Sequence, residues 1–99
     1  MPPSAFDDVL ESVRAALNAK RSELSERSAS IEAALRAWRS RYGEPALSTD
    51  LSRNYAERYG GERLRRLEDG WEGGPWPSLS VVQYYFGTVA KANHAALAG

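Results

Sequence analysis

The stretch SAFDDVLESVRAALNAKRSELSERSASIEAALRAWRSRY, residues 4–42, contains no proline or glycine and repeats an apolar residue every seven positions. A seven-residue apolar repeat is typical of a long helix that packs along one seam. Ser4 is a suitable N-cap, and Gly43 and Pro45 are typical of the residues just beyond a helix end. We therefore predict one helix over about residues 4–42. The repeat consists of Leu10, Leu17, Leu24, Ile31 and Trp38.

The length of this predicted helix indicates how the protein assembles. A 39-residue helix rises about 58 Å, whereas a compact monomer of 99 residues is only about 33 Å across. Such a helix either breaks near its serine-rich part, residues 22–30, or extends beyond its own domain and is covered by a second chain. The unbroken repeat favours the second alternative, so we predict a homodimer that forms through the N-terminal helix.

The rest of the chain is predicted to form shorter helices. Ser48 or Thr49 can cap the first of one or two short helices, and Ser78 can cap a last one. Few residues are β-branched, and no segment alternates polar and apolar residues for long, so the predicted fold is all-α. The predicted elements are short helices over about 49–69, a loop at 70–77 and a last helix over about 78–97, within one domain of residues 1–99.

Composition excludes several classes of function. The chain carries 13 basic and 13 acidic side chains, so it lacks the basic surface that nonspecific nucleic-acid binding requires. Cysteine is absent and His94 is the single histidine, which argues against a metal site and predicts that no cofactor is used. No apolar run approaches the roughly 18 residues of a membrane span. We therefore expect a soluble, cytoplasmic protein that binds neither a membrane nor a nucleic acid.

The loop at residues 70–77 carries Trp71 and Trp76 among glycines and prolines, and the sequence leaves their function open. Exposed aromatic side chains in such a loop can form a recognition surface or a lid. Alternatively, the two side chains fold back and complete a thin core, because this small chain contains few other large apolar residues.

Three segments of the chain follow the pattern of one enzyme family. The first helix has apolar residues and Lys20 at its heptad positions, and Gly43-Glu44-Pro45 forms a bend after it. Asp50 and Arg53 then begin the second helix, and the last helix carries VQYYFGTVAKAN, residues 82–93. With these segments the chain resembles the all-helical chorismate mutases, which share their fold with isochorismate pyruvate lyases. The resemblance implies an intertwined homodimer formed through the first helix.

The resemblance also implies an active site. The family binds the substrate carboxylates with two arginines of the first helix, but Glu11 and Ser28 stand at those positions here. The implied activity is therefore that of an isomerase or lyase acting on a small cyclic metabolite that is less charged than chorismate. Arg39 and Asn93 would be catalytic, binding an anion or developing oxyanion and orienting the substrate. The implied pocket also contains Ser28, Leu35, Ser48, Ser52, Tyr55, Ala90 and His94, with Arg14 and Arg27 as alternative anion-binding residues.

A non-enzymatic function is the alternative interpretation. The replaced arginines and the tryptophan-containing loop are also what we expect of a helical module for protein–protein interaction or regulation. Such a module could be a catalytically lapsed relative of the family or an unrelated small viral or antitoxin-like protein. A concave cavity that contains Arg39 and Asn93 would favour the enzyme, and a filled core with an exposed tryptophan patch would favour the interaction module.

Overall fold

The computed structural model describes the backbone of residues 4–98 and the side chains of residues 8–98. This part of the chain is all-α, as the composition predicts. The capping function predicted for the Ser4 side chain lies outside the described residues. The helices of the described part are α1 (Ser4–Tyr42), α2 (Ser48–Leu51), α3 (Arg53–Tyr59), α4 (Gly61–Asp69), α5 (Leu79–Phe86) and α6 (Val89–Leu97).

Helix α1 dominates the shape of the molecule. It continues without a break through the serine-rich part, and the molecule measures 68 × 29 × 23 Å. The radius of gyration is 18.6 Å, whereas a compact chain of this length has about 13 Å. The N-terminal half of α1 therefore projects from a smaller helical body, residues 31–98, as the length argument predicts.

The segment after α1 is held by local hydrogen bonds. Gly43 has a positive φ of 82° and ends α1, and the Arg39 side chain donates to the Gly43 carbonyl. The predicted cap at Ser48 or Thr49 is wrong, because the N-cap residue is Leu47, whose backbone N–H donates to Asp50 Oδ2 over 2.9 Å. The Asp50 carboxylate thus performs from inside the first turn what a capping hydroxyl does from the N-cap.

The helical region at 49–69 contains three helices instead of one or two. Ser52 interrupts it first, since it ends α2 in an extended conformation and its Oγ accepts from the Tyr55 N–H that begins α3. Gly60, also extended, separates α3 from α4. A capping side chain accepts a hydrogen bond from the backbone N–H groups of the next helix, which competes with continuation of the previous helix. The region at 49–69 is therefore divided.

The single last helix predicted over 78–97 is likewise two helices. Gly87 adopts a positive φ of 88° after α5, and Thr88 Oγ1 accepts from the Lys91 N–H at the start of α6. Glycine followed by a capping threonine is a stop and a start signal in succession. The predicted Ser78 cap is confirmed, because its Oγ accepts from the Val81 N–H over 3.3 Å.

The core lies where the C-terminal half of α1 contacts α5 and α6. Trp38 and Leu35 of α1 are fully buried, as is Val82 of α5. Helix α6 contributes mainly small side chains, Ala92 and Ala96, which allow the two helices to approach closely. None of the described helices is long and apolar enough to cross a membrane. The core cluster comprises Ile31, Ala34, Leu35, Trp38, Ala46, Leu51, Trp76, Val82, Val89, Ala92 and Ala96.

Candidate functional site

The projecting half of α1 exposes a row of large apolar side chains, which we call the free stripe. Exposure of these side chains ranges from 39% at Leu24 to 61% at Val9. Single exposed apolar residues are ordinary, but a row on one helix face indicates a surface that another element covers. The free stripe consists of Val9, Leu10, Val13, Leu17 and Leu24.

The free stripe is the continuation of the helix face that packs in the core. Leu24 and Ile31 are consecutive members of the seven-residue repeat, yet exposure falls from 39% at Leu24 to 5% at Ile31. Residues seven apart lie on nearly the same face of an α-helix. One apolar face thus extends along α1, covered by the body from Ile31 onward and uncovered before it.

A groove lies where α1 enters the body, and we call it the Trp71 groove. Ile31 and Ala34 of α1 form one wall, and Val81 and Tyr85 of α5 form the opposite wall. Trp71 also lines the groove, which has a volume of about 210 Å³. Since Ile31 belongs to the seven-residue repeat, the groove extends the apolar surface of the free stripe into the body.

The loop after α4 fixes Trp71 beside this groove. Trp71 and Gly74 exchange backbone hydrogen bonds of 2.9 Å in both directions. The Trp71 ring lies across Gly73 so closely that a Cβ on Gly73 would be 2.4 Å from Trp71 Cζ2. Glycine is required there because of this approach between ring and backbone, and the loop presents Trp71 in a defined position.

The two tryptophans fold back onto the core, one of the two arrangements that the sequence left open. Trp76 is buried, donates from Nε1 to the Arg66 carbonyl over 2.8 Å, and packs edge-on against Trp38 with centroids 5.0 Å apart. Trp71 is stacked on Trp76 with an interplanar angle of 13° and remains half-buried. Trp76 therefore completes the core, and Trp71 lies at its edge.

Three of the residues implied for a pocket meet in a second groove, the Asn93 groove. Ser48, Ala90 and Asn93 line it, and its volume is about 600 Å³. Asn93 Nδ2 donates to the Ala46 carbonyl over 2.7 Å. Its Oδ1 is buried and has no hydrogen-bond partner among the described residues. The nine lining residues carry no charge; they are Pro45, Ala46, Leu47, Ser48, Gln83, Thr88, Val89, Ala90 and Asn93.

The other implied pocket residues do not line the Asn93 groove. Leu35 is fully buried in the core, and Arg39 donates to the carbonyl at the end of α1. Ser52 caps α3, and Tyr55 contacts the Arg63 guanidinium, which lies 5.4 Å from its ring centroid. Of the remaining two, Ser28 is half-buried on α1 and His94 is exposed on α6.

The alternative anion-binding arginines lie on α1 near the free stripe. Arg14 is exposed on the projecting half. Arg27 lines the Trp71 groove and pairs with Glu23 over 3.3 Å, with both side chains more than half exposed. Such an exposed pair contributes little to stability. Among residues 8–98, no three histidine, aspartate or glutamate side chains are placed to hold a metal ion.

The groove-lining residues of α5 were not among the predicted site residues. Val81 and Tyr85 lie four residues apart, which places them on one helix face. This spacing was a usable signal, but the helix also carries Val82 and Phe86 with the same spacing on an adjacent face. Only the packing of α5 against α1 distinguishes the face that lines the groove from the face that enters the core.

Comparisons with known proteins identify no relative of this chain. It matches no protein-family model, no curated protein and no solved structure. The features that bear on its function are therefore the free stripe, the Trp71 groove and the Asn93 groove.

Proposed function

We propose that this chain is a helical protein–protein interaction module that acts as a homodimer, with its free stripe bound to a second copy of itself. The observation that carries the proposal is the change in burial along α1. The apolar face that α5 and α6 cover from Ile31 onward is exposed over more than three helical turns before it. An apolar face of that length on a projecting helix is typical of a surface that binds another helix.

The pattern of the free stripe supports a second copy as the partner. A repeat of seven residues suits packing against a helix with the same repeat, because the seams of both helices then coincide along their length. Charge also permits self-association. Residues 8–27 contain four acidic and four basic side chains, so two copies of this segment carry no net charge that would repel them.

Burial of the free stripe alone supports only a weak association. Full burial of a leucine or valine side chain contributes about 1.5–3 kcal/mol. The stripe side chains are about half exposed, so two copies together gain roughly 10 kcal/mol. Association itself opposes this gain with about 4–15 kcal/mol. The stripe alone therefore gives a weak dimer, and further apolar contact of the kind that the Trp71 groove offers is needed for a stable one.

Sedimentation equilibrium of the full chain from about 1 μM to 1 mM tests the proposal. The expected result is a mass of twice 10.9 kDa. Leu17→Glu is expected to give a monomer at all these concentrations, because it replaces an apolar side chain at the centre of the interface with a charged carboxylate that loses its hydration there. The introduced carboxylate lies within helical reach of Arg14 and Arg21, so the helix itself is not destabilised by charge repulsion.

The matched control is Ser22→Glu, which adds the same charge to the opposite side of α1. This variant is expected to remain a dimer with the affinity of the wild type. A wild-type chain that is monomeric across the whole range contradicts the proposal. So does a Leu17→Glu variant that dimerises as the wild type does.

A second candidate function, also a proposal, is a small-molecule site in the Asn93 groove. Two observations favour it: Ser48, Ala90 and Asn93 meet there, and the Asn93 Oδ1 atom is unpaired. The uncharged lining suits a cyclic, weakly charged metabolite. A chorismate-mutase-like isomerase or lyase would need no nucleophile there, because such reactions depend on holding one conformer and stabilising charge at an oxygen.

Thermal-shift measurements with shikimate-derived acids and related cyclic metabolites test this second candidate. Binding should raise the melting temperature of the wild type and not that of Asn93→Ala. Arg39→Ala tests whether Arg39 takes part in binding the ligand. If Arg39 binds the ligand anion, its loss abolishes the shift. If its contact with Gly43 is its whole contribution, the shift is retained. A screen in which no compound shifts the wild type contradicts this candidate.

A further inference from the structure

We infer that two copies of α1 pair antiparallel with Leu17 at the dyad, so that the start of each helix reaches the Trp71 groove of the other chain. This inference rests on the proposed homodimer and specifies its orientation, its register and the second surface that it uses. Three independent features of α1 lead to it. They are the length of its free part, the spacing of its leucines and the part of its apolar face that the body covers.

The free part of α1 has a defined centre. The helix begins at Ser4, and Ile31 is the first residue that the body buries. The part of the α1 backbone that precedes the body is therefore residues 4–30, and its midpoint is Leu17. In an antiparallel pair, two such stretches overlap completely only when they share this midpoint.

The leucines of the free stripe have the same centre. Leu10 and Leu24 each lie seven residues from Leu17. In an antiparallel pair centred there, Leu17 contacts the partner's Leu17, and Leu10 contacts the partner's Leu24. The register that overlaps the free stretches completely is thus also the register that matches leucine with leucine in three successive layers.

The body excludes the parallel alternative. Packed helices lie about 8–10 Å apart, and a parallel partner helix would follow the apolar face of α1 toward its C-terminus. From Ile31 through Trp38 that face is occupied by α5 and α6 of the same chain. An antiparallel partner avoids this collision, because its helix begins at the level of Ser30, where the body begins.

The Trp71 groove lies where the partner helix begins. Its walls, Ile31 and Val81, continue the surface that the partner covers, and Val81 is 41% exposed. The groove volume of about 210 Å³ is sufficient for one apolar side chain, since a cavity of about 150 Å³ accepts benzene. The groove thus supplies the additional apolar contact that a stable dimer requires.

Distances between spin labels in the dimer test orientation and register. The chain has no cysteine, so Ser12→Cys, Ser22→Cys and Ser40→Cys each provide a single attachment site on α1 away from the stripe. The antiparallel pair places the two labels at position 40 about 70 Å apart along the axis. At positions 12 and 22, each five residues from Leu17, the two axial separations are equal, at about 15 Å.

The alternatives give different distances. A parallel dimer brings the labels at position 40 as close together as those at position 22, which would overturn the inferred orientation. An antiparallel dimer with another centre gives unequal distances at positions 12 and 22, which would overturn the register. These labels are informative only if sedimentation shows a dimer. A monomer therefore contradicts the proposed function, whereas a dimer with the wrong distances contradicts this inference alone.

The contact with the groove is tested by charge in α5. Val81→Glu is expected to weaken dimerisation by about tenfold or more, because it places a carboxylate where the partner helix begins. Tyr84→Glu is the matched control, since Tyr84 is 77% exposed on the same helix and does not line the groove. Equal dimer affinity of the two variants would show that the partner helix does not enter the groove.

Discussion

The two halves of α1 carry the same apolar repeat in very different surroundings. In the C-terminal half, Trp38 and Leu35 are fully buried beneath α5 and α6. In the N-terminal half, Leu17 is 58% exposed and no other described element packs on it. The sequence pattern is continuous between them, so the difference arises from where the rest of the chain folds back, and not from α1 itself.

This difference shows that a heptad repeat specifies a face and not its partner. In the C-terminal half the repeat is satisfied by helices of the same chain. In the N-terminal half the same spacing leaves a surface for a separate molecule. The repeat therefore produces tertiary structure in one half and, under our proposal, quaternary structure in the other. Substitutions in the two halves should accordingly be distinguishable by their dependence on protein concentration.

The largest effect is expected from Trp38→Ala in the buried half. Removal of this ring leaves a cavity next to Trp76 and Tyr42, which both pack edge-on against it. Such substitutions lower the free energy of unfolding by about 3–5 kcal/mol. Urea denaturation measures the loss, which should be the same at low and high protein concentration. Tyr84→Ala removes an exposed ring and should change stability little, and a similar loss in both variants would contradict this description of the core.

A smaller loss of stability is expected from Asn93→Ala, which removes a hydrogen bond from α6, one of the helices that cover the buried half of α1. Asn93 Nδ2 is the hydrogen-bond donor from α6 to the Ala46 carbonyl, and Ala46 is buried. An unsatisfied buried carbonyl destabilises a protein by about 1–3 kcal/mol. Thermal unfolding measures the change, and Lys91→Ala on the exposed side of α6 is the control. Unchanged stability of Asn93→Ala would show that water replaces the amide at no cost.

The boundary between the two halves is altered by Gly73→Ala. A methyl group at this position overlaps the Trp71 ring, so the ring must leave its position beside the Trp71 groove. We expect a loss of stability near 1 kcal/mol, the lower end of the overpacking range, because Trp71 is only half-buried. Tryptophan fluorescence should report a more exposed ring. The control is Gly61→Ala, where the added Cβ has open space, and its spectrum should match that of the wild type.

The smallest effect is expected from Ser22→Ala in the free half. Alanine replaces a serine on an exposed side of α1 and raises helix stability by a few tenths of a kcal/mol, roughly 0.5 at most. Hydrogen exchange of amides in residues 18–26 should slow by a factor of about two. The control is Ser40→Ala, the same substitution in the buried half. Packing already holds the helix there, so amide hydrogen exchange should slow less. Equal slowing in both halves would remove the contrast that we describe.

The predictable part of the fold is the part that local chemistry specifies. One helix was predicted over residues 4–42 because no proline or glycine interrupts a regular repeat there. This prediction is confirmed, since α1 spans that range. The last helix was predicted too long, since Gly87 and Thr88 were not read as a stop followed by a cap. The first short helix was assigned the wrong cap, because Asp50 accepts from the Leu47 N–H in place of a hydroxyl.

The candidate site was only partly predictable. The exposed stripe follows from helix length, which requires nothing beyond the sequence. The Trp71 groove does not follow, because its two walls come from residues about fifty positions apart in the chain, Ile31 and Val81. The pocket residues implied by the family resemblance were also predicted only in part. Ser48, Ala90 and Asn93 meet, whereas Arg39 is engaged at the end of α1.

The sequence by itself determined that α1 forms, which face of it is apolar, and that it is longer than one small domain can cover. These properties depend on interactions within a few residues, whose geometry the helix fixes. Only the tertiary structure decided where coverage of that face begins, at Ile31, and which side chains close the groove there. Such contacts join distant segments, and their position depends on how α5, α6 and the tryptophan-containing loop pack around α1 as a unit.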